Sequence, residues 1–228
     1  MLYIVATPIG NLKDITLRAI ETLTSVDVIF AEDTRVVGKL LACNNISKPT
    51  FRYDEHSHTR AIKEVFAFLG QGKSVAFVSD AGTPGISDPG TRLVQSVRTS
   101  LPHIKIIPIP GASAITTILS VAGLDSGMFS FFGFPPHKKG RVTFFKKIAL
   151  SEIPVVFYES PHRIQKALES LQKECGDDCI IIVGRELTKV YEDIFIGTPK
   201  EALAYFVGEK LKGEFVIVVQ SAKLKHQK

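Results

Sequence analysis

Cysteine is scarce in this 228-residue chain: Cys43, Cys175 and Cys179 are the only three. An odd, scattered set cannot form a disulfide framework, and it fits a reducing compartment such as the cytoplasm. Long apolar runs are missing too, and none reaches the roughly 18 residues of a membrane-spanning helix. The opening Met1-Leu2-Tyr3-Ile4-Val5-Ala6 lacks the basic stretch of a secretory leader and soon meets Thr7-Pro8. Cys175-x-x-x-Cys179 has no second ligand pair nearby and His56-x-His58 stands alone, so no metal is expected. No G-x-G-x-x-G opens a helix after the first apolar run. Gly72-Lys73-Ser74 resembles the end of a P-loop, but Ala67 stands where its first glycine belongs, and no G-x-S-x-G elbow exists. These absences exclude disulfide scaffolds, membrane spans, the dinucleotide fingerprint and the nucleotide P-loop.

What is present is an ordinary globular balance, 45% hydrophobic and 22% charged, which disfavours disorder. At about 150 residues per domain, the length allows one large domain or two halves. The net charge of +5 permits a polyanionic partner without demanding one.

Short apolar runs alternate with amphipathic stretches. Leu2–Ala6, Val26–Ala31, Ser74–Val78 and Ile104–Ile109 read as buried strands; Leu17/Ile20/Leu23, Val36/Leu40/Leu41, Ile62/Val65/Phe66/Leu69 and Thr91–Val97 read as helical faces. This alternation predicts an α/β fold with a mostly parallel sheet, whose ligands gather at the carboxyl ends of the strands. Beyond Pro110-Gly111-Ala112-Ser113 the pattern changes. Strands at Met128–Phe134, Val155–Tyr158, Ile180–Val183, Asp193–Ile196 and Phe215–Val219, with helices near 139–150, 162–173 and 199–210, predict a mixed sheet. The expected organisation is two α/β domains, 1–112 and 113–222, and a polar tail at 223–228.

The loops after the early strands carry the chemistry. Ser79-Asp80-Ala81-Gly82-Thr83-Pro84-Gly85-Ile86-Ser87-Asp88-Pro89-Gly90 is the richest. Its glycines and prolines direct the backbone and expose N–H and C=O groups. Asp80 and Asp88 argue against a phosphate ligand and for one with amine or sulfonium charge. Ala6-Thr7-Pro8-Ile9-Gly10-Asn11-Leu12, Ala31-Glu32-Asp33-Thr34-Arg35 and Pro110-Gly111-Ala112-Ser113-Ala114 fall at the other strand ends. Each alone also reads as a simple turn or helix cap.

Together, A-T-P-I-G-N-L, A-E-D-T-R, S-D-A-G-T-P-G-I-S-D-P-G, P-G-A-S-A, F-Y-E-S-P-H-R and G-R-E-L-T-K resemble, in order, the tetrapyrrole methylase superfamily, over residues 2 to about 220. Within it the chain is similar to the bacterial 16S ribosomal RNA ribose 2′-O-methyltransferases. The resemblance implies S-adenosylmethionine (SAM) bound in a cleft between two α/β domains, a cytoplasmic homodimer, and methylation of a decoding-region cytidine of the small ribosomal subunit, with neither DNA nor membrane as partner. Carried over by motif, Pro8, Ala81, Gly82, Thr83, Ile86, Asp88, Ser113 and Ala114 are cofactor contacts, joined by Tyr158, Leu187 and Glu214 of the turn Gly213-Glu214-Phe215. Pigment-methylating relatives carry a first loop close to G-x-G-P-G-D; Thr7-Pro8-Ile9-Gly10-Asn11 departs from it. Many RNA-branch members also extend past the last strand, whereas this sequence ends at Lys228.

A ribose 2′-hydroxyl is a weak nucleophile that benefits from a proton acceptor. Asp33, Glu159 and His162 are candidates. Asp33 and Glu159 are favoured for orienting the ribose, with a structural ion pair or cap as the competing reading of each; Arg35 beside Asp33 holds it anionic. Arg35, Arg163 and Arg185 would meet phosphates. In Phe131-Phe132-Gly133-Phe134-Pro135-Pro136-His137-Lys138-Lys139-Gly140-Arg141, Phe131 and Phe132 point opposite ways if extended, so at least one enters the core. The basic residues Lys138, Lys139 and Arg141 are the better RNA contacts. The competing functions are a uroporphyrinogen or precorrin C-methyltransferase and a non-catalytic SAM sensor.

Overall fold

The computed structural model describes residues 1–55 and 57–220; His56 and the tail expected at 223–228 lie outside the described residues. The chain forms two compact units, Met1–Ser113 and a second beginning at Ala114.

The first unit runs β1 (Leu2–Val5), α1 (Leu17–Ser25), β2 (Val28–Ala31), α2 (Thr34–Cys43), β3 (Thr50–Arg52), α3 (His58–Gly70), β4 (Val75–Val78), α4 (Gly90–Ser100) and β5 (Ile106–Ile109). Its strands form one parallel sheet in the order β3-β2-β4-β1-β5. Both faces are covered, so the strands are nearly uniformly apolar. Alternate residues serve opposite faces: Val5, Ile29, Ala31, Ala76 and Val78 pack with α1 and α2, through Ala19, Leu23, Val37 and Leu41. Leu2, Val28, Phe30, Val75 and Phe77 pack with α3 and α4, through Ala61, Val65, Leu69, Leu93 and Val97. Thr16 caps α1 by accepting the Ala19 N–H, and Asp33 caps α2 by accepting that of Arg35.

Adjacent β1 and β4 send the chain to opposite faces of the sheet: beyond β1 it enters α1 on one face, and beyond β4 it enters α4 on the other. Neighbouring strands whose connections leave on opposite faces form a switch point, where open α/β sheets bind ligands.

The second unit runs α5 (Ala114–Val121), β6 (Ser130–Phe131), α6 (Arg141–Ala149), β7 (Val155–Glu159), α7 (Ile164–Cys175), β8 (Ile180–Arg185), β9 (Asp193–Gly197), α8 (Pro199–Tyr205) and β10 (Phe215–Gln220). The sheet order is β6-β7-β10-β8-β9, with β6 parallel to β7 and the other pairs antiparallel. It is the mixed sheet the strand spacing predicts. One face carries Val155, Phe157, Ile181, Val183, Phe215 and Ile217 against α6, α7 and α8. A Thr198–Glu201 capping box and Pro199 begin α8. Phe132 packs against this core while Phe131 contacts Tyr158, so the two neighbours do face opposite ways. No helix among the described residues is long and apolar enough to cross a membrane, and no described His/Cys/Asp/Glu group could hold a metal ion.

Phe157 is fully buried and its ring contacts those of Phe144 and Phe145. Phe157→Ala is expected to cost about 3–5 kcal/mol of stability, read as a lowered urea midpoint with unchanged slope.

Candidate functional site

All five parallel strands of the first sheet end at its carboxyl edge, and hydrogen bonds join the loops after β1, β2, β4 and β5. Thr7 N–H donates to Gly82 C=O (2.9 Å) and Gly82 N–H donates to Thr7 C=O (3.1 Å), a two-bond antiparallel bridge across the switch point. Thr7 Oγ1 donates to Ser79 C=O at 3.3 Å. Thr83 Oγ1 donates to Ala112 C=O at 3.3 Å, which ties in the loop after β5. Asp33 N–H donates to Asp80 Oδ1 at 2.9 Å, which ties in the loop after β2. Close approach depends on small residues. Gly82 adopts φ +76°, and a Cβ there would lie 3.3 Å from Ile9 Cγ2; a Cβ on Gly111 would lie 2.9 Å from that of Ala6.

Asp88 shapes the central loop. Its carboxylate accepts the N–H groups of Gly85 (2.8 Å), Ile86 (3.2 Å) and Gly90 (2.7 Å). Ser87 is held at φ +67°, costly for a residue with a Cβ. Ile86 and Ala81 are exposed on this loop, whereas Pro8 is buried beneath the first. Ser113 and Ala114 are half-buried where the fourth loop enters α5.

The carboxylates of this edge divide by environment. Arg35 hydrogen-bonds Asp33 through both side chain and backbone, which holds Asp33 well below the ordinary carboxylate range. Burial, then the charges of Asp80 and Asp88, pushes Glu32 up. Asp80 is also raised, chiefly by burial, against the lowering effect of the Asp33 N–H. Glu32 is the residue sequence reading left unassigned. Asp80 and Asp88 belong to another loop, which β2–β4 pairing brings beside it.

In the second unit Tyr158 is half-buried between Phe131 (5.0 Å between ring centroids) and Phe134 (5.4 Å), and burial raises its hydroxyl to about 12. Leu187 is buried against Gly184, where a Cβ would meet its side chain at 3.0 Å. Glu186 and Thr188, on either side, both have positive φ. Lys189 Nζ bridges Glu186 (2.9 Å) and Glu214 (3.0 Å). Gly213, at φ +105°, leaves room for Glu186, whose Cγ would lie 2.5 Å from any Cβ added there.

Three arginines and Glu159 sit differently from their sequence assignments. The Glu159 side chain is fully buried, paired with Arg141 Nη2 (3.2 Å) and Arg163 Nη2 (3.0 Å), and it accepts the Ser160 N–H (2.8 Å). Arg163 and Arg141 also donate to Pro135 C=O (3.1 Å) and Pro136 C=O (3.4 Å). Arg185 donates to the carbonyls of Lys212 (2.6 Å), Tyr191 (3.2 Å) and Glu209 (3.3 Å). These groups spend their hydrogen bonds bracing loops. A ribose cannot reach Glu159 without displacing two guanidinium groups, and Arg141, Arg163 and Arg185 already have acceptors. Arg35, with an 87% exposed side chain, and the exposed Lys138 and Lys139 do face solvent.

Residues 1–203 match the family described as Tetrapyrrole (Corrin/Porphyrin) Methylases. The chain belongs to the tetrapyrrole methylase family. Among this methylase's relatives, the Ribosomal RNA small subunit methyltransferase I of Synechocystis sp. is 45% identical over 97% of this chain and 79% of its own length. The protein of the same name from Borrelia garinii subsp. bavariensis is 46% identical over 96% of this chain and 98% of its own. The crystal structure of uroporphyrin-III-C-methyltransferase from Thermus thermophilus aligns with a TM-score of 0.69 over 98% of this chain and 95% of its own, at 17% identity, a likeness of fold.

Glu32→Gln keeps an acceptor and removes the charge from this methylase's crowded edge. A carboxyl raised in the native state opposes folding once pH climbs past its unfolded value. The variant is therefore expected to melt above wild type near pH 7. That advantage should vanish as pH falls below the ordinary carboxylate range, checked by thermal melts across pH.

Proposed function

We propose that this chain transfers a methyl group from SAM to the ribose 2′-hydroxyl of a cytidine in the decoding region of small-subunit ribosomal RNA. The observation that carries this reading is the 45% identity, across nearly the whole chain, with a Ribosomal RNA small subunit methyltransferase I. The first unit's loop edge is consistent with the donor. It offers backbone groups at close-approach glycines, and its carboxylates, Glu32, Asp33 and Asp80, suit a cationic ligand better than a phosphate.

When bound, SAM supplies a methyl group on a positively charged sulfur. The loops of Pro8, Ala81–Ile86 and Ser113-Ala114 would hold it through backbone contacts, with Asp88 fixing the shape of the central loop. The family resemblance names Tyr158, on β7, and Leu187 and Glu214, beside the Lys189 bridge, as the second unit's cofactor-contact candidates. Asp33, anionic at every working pH, accepts the hydrogen bond of the ribose hydroxyl and so orients it for in-line attack. Arg35, exposed even while paired, and Lys138 and Lys139 meet phosphates. Glu159, Arg141 and Arg163 act through the loop they brace. The same family relationship favours a homodimer working in the cytoplasm.

Small subunits from cells lacking the protein should accept labelled methyl from SAM and yield 2′-O-methylcytidine on nucleoside mass spectrometry. Transfer to uroporphyrinogen III instead, or SAM binding without transfer to any RNA, would overturn the assignment. Asp33→Asn, which keeps the helix cap, is expected to lower turnover by about 10²-fold while SAM affinity by calorimetry stays put.

A further inference from the structure

The loop between β6 and α6 is built with unusual expense for a surface connection. Its inward carbonyls, on Pro135 and Pro136, are held by Arg163 and Arg141. Those guanidinium groups are mostly buried (17% and 15% exposed) and share the fully buried Glu159. Tyr158 N–H donates to Gly133 C=O at 2.9 Å, and Gly133 and Gly140 mark its ends with positive φ. Burying three charges costs desolvation that their attraction only roughly offsets, so such a triad is poor evidence for stability and better evidence for a fixed conformation.

The outward side shows what is being held. Phe134 is 49% exposed, and its ring leans on Tyr158 at 5.4 Å. His137, Lys138 and Lys139 follow, all exposed, and Lys146 and Lys147 lie exposed in the last turn of α6. From Phe134 to Lys147 no acidic residue occurs. Among the described residues, none of these four lysines takes part in an ion pair. An aromatic face propped open beside uncompensated cations, on a rigid loop, matches the chemistry of single-stranded RNA, whose splayed bases stack on aromatic rings while phosphates meet lysine.

We propose that Phe134 is a stacking platform for an unpaired nucleobase of the RNA substrate, with Lys138 and Lys139 on the adjoining phosphates and the Glu159–Arg141–Arg163 triad as the brace that holds the platform in place. This deepens the RNA reading above and rests on it. It also separates roles that the sequence pattern runs together. Phe132 serves the core, Phe131 backs Tyr158, and Phe134 alone of the three offers an exposed face.

Two kinds of binding energy leave different signatures. Phosphate contacts release counterions, so losing one flattens the slope of log affinity against log salt; stacking does not. Affinity of the full chain for a labelled, unstructured oligocytidylate is to be measured by fluorescence anisotropy over a salt series. Phe134→Ala should weaken binding roughly 10-fold at every salt concentration with the slope unchanged. Phe134→Trp should restore it, and Phe134→Leu should not. The double variant Lys138→Ala/Lys139→Ala should lower the slope. Glu159→Gln should weaken binding as Phe134→Ala does without changing the slope. In the transfer assay Phe134→Ala should raise the KM for small subunits. Thermal melts confirm folding of each variant. Wild-type affinity for Phe134→Ala, rescue by leucine, a salt slope changed by Phe134→Ala, or no oligonucleotide binding by the wild type would each overturn the platform. If the oligonucleotide results hold but small subunits accept no methyl, the substrate assignment fails and the stacking site stands.

Discussion

Everything at the first unit's loop edge hangs on the backbone bridge between Thr7 and Gly82. It joins the loops of two adjacent strands whose helices depart on opposite sides of the sheet, where a crevice would otherwise gape. With Thr7 fixed, its hydroxyl reaches Ser79, and with Gly82 fixed, Thr83 reaches Ala112. The bridge has no side-chain chemistry of its own. It needs close backbones, and Gly82 at φ +76°, with Ile9 and Ala112 already near, supplies the one residue type that tolerates that approach. The catalytic proposals for Asp33 and the cofactor loops are downstream of this geometry.

The strand-end loops were legible because parallel strands are uniformly apolar and their loops are punctuated by glycine and proline. β3 was not, since Thr50-Phe51-Arg52 is short, half-polar and at the sheet edge, where burial imposes no pattern. Individual charged side chains were legible only when their partners are near in sequence. Arg35 and Asp33, two residues apart, were read correctly as a pair that keeps the carboxylate ionised. Glu159 was not, because Arg141 comes from the preceding helix and burial of the carboxylate follows from packing. Arg185 likewise looks like a phosphate ligand in one dimension, yet its acceptors are carbonyls of loops brought in by the β8–β9 and β8–β10 pairings.

The two units thus use charge in contrasting ways. The first leaves carboxylates crowded and partly raised at a backbone-rich edge, a disposition suited to a small cation. The second neutralises its buried carboxylate completely with two arginines and leaves lysines unpaired outside, suited to a polyanion. A net charge of +5 averages over these opposite local fields, which is why composition alone could not choose a partner.

The central place of β1 has a consequence for biosynthesis. Leu2-Tyr3-Ile4-Val5 leaves the ribosome well before its neighbours, β4, beginning at Val75, and β5, ending at Ile109. Until those strands emerge, an apolar segment with two unpaired edges must wait in the nascent chain, the kind of exposure that chaperones shield. Nor can Thr7 find Gly82 before then. The first unit's loop edge is therefore assembled by the closing strands of its sheet, and translation must pass nearly the whole first unit before that edge can exist.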